Sequence, residues 1–259
     1  GIGVAAELAL LASDDIQHGP IECLFTVDEE TGLTGAKALK EGFMSGDILI
    51  NLDSEDEGEL FIGCAGGAGT TAEFPCPMTA APEGYFFFRV AVKGLTGGHS
   101  GDDINKNRAN ANKLLDRFLV ILMKQYDLRL SHIDGGNLHN AIPREAHAVC
   151  AVPMADKENV RVALNIFLAE VENEFAVTEP NLTMELESET PCAEVMEKEA
   201  MTRFLHSLYA VHHGVYAMSQ DMEGLVETSS NLASVKMRDG KIVVVTSCLL
   251  YTSDAADEL

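Results

Sequence analysis

Thr26-Val27-Asp28-Glu29-Glu30-Thr31-Gly32 closes an apolar run that begins at Ile21, and three consecutive acids stand where that run ends. Adjacent carboxylates repel each other unless a proton or a cation sits between them, so a strand that delivers them together points to a metal. A second apolar run, Ile48-Leu49-Ile50-Asn51-Leu52, ends in Asp53. If 21–27 and 47–52 are neighbouring parallel strands, Glu29, Glu30 and Asp53 emerge at one sheet edge, where open α/β sheets bind ligands. One Glu is then general base to a metal-bound water, and the other Glu and Asp53 are hard oxygen ligands. A polar loop rim accounts for the same acids without chemistry, and spacing alone leaves both readings open.

Working outward, the Ala- and Leu-rich residues 3–12 predict a buried helix ahead of the first strand. Residues 32–39 predict a short helix between the two apolar runs, and strand, helix, strand in that order implies a parallel α/β layer. A further strand is expected at 60–64. The glycines dense through 63–69 suggest a hinge or a crossing between domains. Beyond it, strands are expected at 70–74, 85–92, 128–133, 146–152 and 181–186, and helices at 108–126, 157–175 and 193–210. Leu114, Leu115, Phe118, Leu119, Leu122 and Met123 share one face of the first of these helices, and Val160, Leu164, Phe167, Leu168 and Val171 one face of the second. Residues 231–237 and 241–246 form a hairpin turning at Asp239-Gly240. This part reads as an α+β sandwich, one sheet with helices on one face.

The chain has 259 residues and is 46% hydrophobic, ample for packed cores. A formal charge of -23 opposes nucleic acid and anionic membrane as partners, since both need a cationic surface. No apolar run reaches about 18 residues, so no membrane span is indicated. The six cysteines show no C-x-x-C pairing and read as reduced core residues, which with the acidity suits the cytosol. Residues 63–69 contain no phosphate-loop pattern, and Ser100 has no nucleophile-elbow context.

Four segments in order, TVDEETG at 26–32, NLDSED at 51–56, GGHSG at 97–101 and NAIPREA at 140–146, resemble the co-catalytic zinc aminoacylase and carboxypeptidase family, most of all its aminoacyl-histidine dipeptidase branch. The resemblance runs from Gly1 to about Ser247. It implies part of an α/β catalytic domain at 1–66 and an α+β lid and dimerisation domain at 67–247. It implies two zinc ions, with Glu29 as base, Glu30 bound to one zinc and Asp53 to the other. His99 becomes the lid histidine that hydrogen-bonds the oxyanion, often across a homodimer. Asn140 and Arg144 would contact the terminal carboxylate of a dipeptide, a task that suits a guanidinium fork. For Arg144, pairing with a surface acid is an equal alternative, and a lone His is commonly a satisfied surface or core residue. Glu227 to Asn231 resembles a family lid segment. The remaining histidines, His132, His139, His147, His212 and His213, have no partner at ligand spacing and read as structural.

The activity implied is hydrolysis of Xaa-His dipeptides through a zinc-activated water. An N-acyl amino acid deacylase or carboxypeptidase would carry the same motifs. Outside enzymes, the reading is a lid-like module that binds peptide termini or pairs with another subunit. The family's His-x-Asp motif and bridging Asp would fall before Gly1 and its last His ligand beyond residue 247. The expectation is therefore a fragment, cut at Gly1, that neither holds a zinc pair tightly nor hydrolyses dipeptides. Residues 248–259, CLLYTSDAADEL, match neither the family nor the hairpin, and disorder or non-native packing is expected there.

Overall fold

The computed structural model describes residues 1–29, 33–53, 58–60 and 65–250, and the chain divides into two compact units, Gly1–Ile62 and Gly63–Leu259. No helix among the described residues is long and apolar enough to cross a membrane.

The first unit contains two helices, α1 (Ile2–Ala12) and α2 (Thr34–Lys37), and no strand among its described residues. Helix α1 forms where Ala/Leu propensity places it, but none of its residues is buried, against the expectation of a buried helix. The strands expected at 21–27 and 47–52 are irregular segments. Ile48, Leu49 and Ile50 are 84%, 76% and 70% exposed. The physical reason is that apolar content signals a need for burial but does not supply a ladder. A parallel strand holds only with hydrogen-bonded neighbours and cover on both faces. The strand expected at 60–64 lies mostly outside the described residues.

The second unit is built on an antiparallel sheet. Its strands are β1 (Gly66–Pro75), β3 (Tyr85–Lys93), β5 (Arg129–Gly135), β7 (Ala146–Pro153), β8 (Thr183–Ser188), β10 (Gly214–Met218), β11 (Val226–Arg238) and β12 (Lys241–Leu250). The order is β1-β12-β11-β5-β7-β3-β8, with β10 paired to the first part of β11. Two short ribbons accompany it, β2 (Met78–Ala80) with β9 (Glu194–Met196) and β4 (Gly98–His99) with β6 (Ala141–Ile142). The hairpin at Asp239-Gly240 is borne out. Both turn residues have positive φ, 52° and 72°, which a two-residue turn between right-twisted strands requires.

Alternation along Tyr85–Lys93 sorts the two faces. Phe86, Phe88, Val90 and Val92 enter the main core with the apolar stripes of α3 (Ala111–Gln125), α4 (Lys157–Glu174) and α5 (Lys198–Ala210). Phe87 faces the other way, into a small cluster with Ala151 and Val195 that the β2–β9 ribbon covers. Both predicted helical stripes are in or against this core. Helix α3 starts at an Asn110 cap whose side chain accepts from the N–H of Asn112 and Lys113. Helix α5 begins later than expected, because Glu194–Met196 pairs as a strand with Met78–Ala80.

Of the glycine-dense 63–69, expected as a hinge or a crossing between domains, Gly66 to Gly69 open β1 in register with Ser247 to Leu250, and the division between the two units falls just before Gly63. Cys248 to Leu250, expected to be disordered or to pack in a non-native way, are ordered and continue β12 between β1 and β11, and residues 251–259 lie outside the described residues. Of the five described cysteines, all unpaired, only Cys76 and Cys150 are buried.

Candidate functional site

In the first unit the acidic stretch folds into a tight turn. Asp28 and Leu33 take left-handed conformations, φ 58° and 59°, and the Leu33 N–H donates to the carbonyls of Asp28 (3.0 Å) and Glu29 (3.2 Å). The Thr34 hydroxyl donates to the Asp28 carboxylate at 3.1 Å. Glu29 and Asp53 are both exposed, and the Asp53 N–H donates to the Asn51 side chain at 3.2 Å. Glu30 lies outside the described residues. Glu29 and Asp53 are hard oxygen donors, the chemistry a divalent cation takes. Among the described residues no three His, Cys, Asp or Glu gather as a metal cluster. The metal assignment therefore stands on donor chemistry and on resemblance.

In the second unit the structure brings the other three candidates together. Strands β4 and β6 pair antiparallel, with His99 opposite Ala141 and Gly98 opposite Ile142. Asn140 and Arg144 thereby flank the strand that lies against His99. The Ser100 N–H donates to the Asn140 carbonyl at 2.8 Å. Nδ1 of His99 accepts from the N–H of Gly101 (3.2 Å) and of Asp102 (3.4 Å), which favours the proton on Nε2, while the Asp102 carboxylate, 3.3 Å from Nδ1, pulls the other way. The imidazole is half exposed, which leaves an Nε2–H able to serve a ligand oxygen.

The glycines beside His99 make room for neighbouring side chains. Gly97 has φ 66°, and a Cβ there would lie 2.3 Å from the Arg144 stem. Gly98 has φ 144°, and a Cβ there would lie 2.1 Å from Arg108 and 2.4 Å from Asp103. The motif is glycine-rich because charged side chains fill the space against its backbone. Arg144 Nε donates to the Leu95 carbonyl at 3.1 Å, and its two terminal nitrogens make no hydrogen bond among the described residues. The alternative of a surface ion pair for Arg144 finds no acid among them.

Asp103 ties the loop together, accepting from the His99 N–H at 2.8 Å and from Arg108 at 3.0 Å, with Lys106 at 2.6 Å. The hydrogen bond from Lys106 holds its carboxyl below the usual carboxylate range, against the upward push of burial. Asn231, in the resembling segment on β11, donates from Nδ2 to the Ala141 carbonyl at 2.8 Å and so anchors β6. Nothing in the local sequence singles out Asp103 or Arg108. Asn231 carries a signal only through its segment.

The other histidines lie elsewhere. The His132 and His147 rings are 5.8 Å apart on the sheet, and burial lowers the His147 pKa. His213 borders an open cleft of about 440 Å³ with Asn105, Arg108, Asn110 and Lys113. Burial pushes it down to about 4, and its Nδ1 accepts from Asn110 Nδ2 at 3.2 Å.

Residues 90–179 match the peptidase dimerisation domain family. The chain is 43% identical over 251 residues to the cytosol non-specific dipeptidase of Escherichia coli (strain K12), covering 96% of this chain and 51% of that protein. The solved aminoacylhistidine dipeptidase of Vibrio alginolyticus superposes with a TM-score of 0.83 at 40% identity, covering 99% of this chain and 52% of that one. The chain thus spans about half the length of these relatives. The likeness bears out the resemblance carried by the four motifs, and the mixed α/β fold of sheet and helices matches that dimerisation, or lid, domain.

Proposed function

We propose that this chain is part of a metal-dependent, cytosolic dipeptidase that hydrolyses Xaa-His dipeptides, with zinc as its metal. The observation that carries the reading is the meeting of His99, Asn140 and Arg144 on the β4–β6 ribbon. Two relatives that align along nearly the whole chain, each named as a dipeptidase, support it.

Glu29 would take the proton of the attacking water, for which a carboxylate is suited near neutral pH. Glu30 and Asp53 would hold the metals, which when bound acidify water and stabilise negative charge on the amide oxygen. His99 would donate its Nε2 proton to that oxygen as charge develops. Arg144, anchored through Nε, would turn its two terminal nitrogens to the substrate's carboxylate beside Asn140.

The test is a chimera in which residues 1–247 replace the matching stretch of the E. coli dipeptidase. It should hydrolyse β-alanyl-histidine. His99→Ala should lower kcat on the order of a hundredfold, the effect of removing one oxyanion donor. Arg144→Ala should mainly raise KM, by roughly tenfold or more, for loss of a charge-assisted hydrogen bond. Turnover of N-acetyl amino acids with none of dipeptides would replace the proposal with a deacylase.

A homodimer is part of the proposal. Val162 and Ile166, one turn apart on α4, are both exposed, and β8 is the open end of the sheet. Asp at both positions should shift the chain to monomer in sedimentation velocity; an unchanged distribution would place the contact elsewhere.

A further inference from the structure

We propose that Glu179, eighty residues beyond the GGHSG motif, is a positioning residue that sets the geometry of His99. It follows α4 in a turn of the sequence Ala176-Val177-Thr178-Glu179-Pro180 and is 3% exposed. One carboxylate oxygen accepts from the Thr96 N–H at 2.6 Å, and the other accepts from the Ala109 N–H at 2.8 Å. Thr96 and Ala109 are the two ends of the segment that carries His99, Asp103 and Arg108. A single buried carboxylate therefore closes the base of that loop. The turn that presents Glu179 is itself fixed. Its N–H donates to the Phe175 carbonyl at 2.9 Å, and the Thr178 carbonyl accepts from the Thr96 hydroxyl at 3.0 Å.

The consequence for His99 runs through the backbone. Inside the loop, Arg108 donates to the Gly97 carbonyl at 2.5 Å and Asp103 accepts from the His99 N–H. Ala109 follows Arg108 directly, so the bond from Glu179 to Ala109 sets where the Arg108 guanidinium reaches. Without it, the buried Ala109 N–H and the part-buried Thr96 N–H lose their acceptor, and the loop must open to solvate the former. The two backbone N–H groups that donate to Nδ1 and favour the His99 proton on Nε2 depend on the same loop being closed. Among the described residues, Glu179 is the side chain that joins both ends of this loop.

The experiment uses the 259-residue chain, comparing wild type with Glu179→Ala and Glu179→Gln by amide hydrogen exchange and by ¹⁵N shifts of the His99 ring. In Glu179→Ala, exchange at Thr96, Ala109 and His99 should speed up at least tenfold beyond any change at Phe88 and Val90 in the core, and the His99 ring should move from the Nε2–H tautomer to a mixture. Glu179→Gln keeps one acceptor and should protect only one of Thr96 and Ala109. It also serves if the alanine variant fails to fold. A ring signature that stays at the Nε2–H tautomer in the folded variants would overturn the proposal and leave Glu179 a purely structural residue. The functional weight rests on the reading of His99 given above, and the two are separable. If His99→Ala leaves kcat of the chimera unchanged while the exchange result holds, that reading fails and the Glu179 coupling stands.

Discussion

Asp116→Asn should stabilise the sheet domain at neutral and alkaline pH, by a margin over wild type that grows as pH rises. Asp116 lies on the core face of α3, fully buried, and neither carboxyl oxygen has a hydrogen-bond partner among the described residues. Burial pushes its pKa up to about 8 from an ordinary 3.8, with Lys113 pulling weakly the other way. Between those two values the folded chain keeps a proton that the unfolded chain has released. Stability therefore falls as pH rises from about 3.8 to about 8, by ~1.4 kcal/mol per unit, and the penalty is complete above the folded pKa. The full cost is on the order of 5 kcal/mol. Asparagine has the same shape and no charge to bury, at the cost of an amide that still lacks partners. Urea unfolding at pH 5, 7 and 8.5 should show the variant's advantage over wild type growing across the series, a difference in which the shared contributions of His147 and His213 cancel. Parallel pH profiles for the two proteins would mean that Asp116 is ionised in the fold with a partner.

Phe88→Ala should cost about 3–5 kcal/mol, the range for deleting a buried ring whose cavity cannot collapse. Phe88 is fully buried at the centre of β3, between β7 and β8, and stacks on Phe86 with ring centroids 5.8 Å apart. For a unit of this size, each kcal/mol lowers Tm by roughly 2–4 °C, so a fall of about 10 °C is expected. Val177→Ala, at a position 94% exposed, should change stability by no more than about 0.5 kcal/mol. A Phe88→Ala loss under about 1 kcal/mol would show that the ring is not packed as described.

Both predictions turn on features with different visibility in the sequence. The alternation in Tyr85–Lys93 announces Phe88 as a core residue. Asp116, in the middle of Leu-Leu-Asp-Arg-Phe-Leu, reads as an ordinary polar position on an amphipathic helix. Only its neighbours' packing makes it a buried acid, because α5 and the sheet close over α3 on that side. The first unit shows the reverse. Its apolar runs at 21–27 and 47–52 look like strands, and no ladder forms among the described residues, since β structure depends on partners that a local pattern cannot name.

The candidate site divides along the same line. Its residue types were legible: glycines around His99, a rigid Ile-Pro pair between Asn140 and Arg144, acids at Glu29, Glu30 and Asp53. Why Gly97 and Gly98 must be glycine was not legible, because the side chains that crowd them come from positions 103, 108 and 144. Glu179 was wholly hidden. By itself the sequence determined the helices α3, α4 and α5, the central strands and the Asp239-Gly240 turn, since periodicity and turn chemistry act over a few residues. The tertiary structure alone decided strand order, the pairing that sets His99 opposite Ala141, and the closure of its loop by a distant carboxylate, because most of those contacts join residues forty or more positions apart, up to 184 between Gly66 and Leu250.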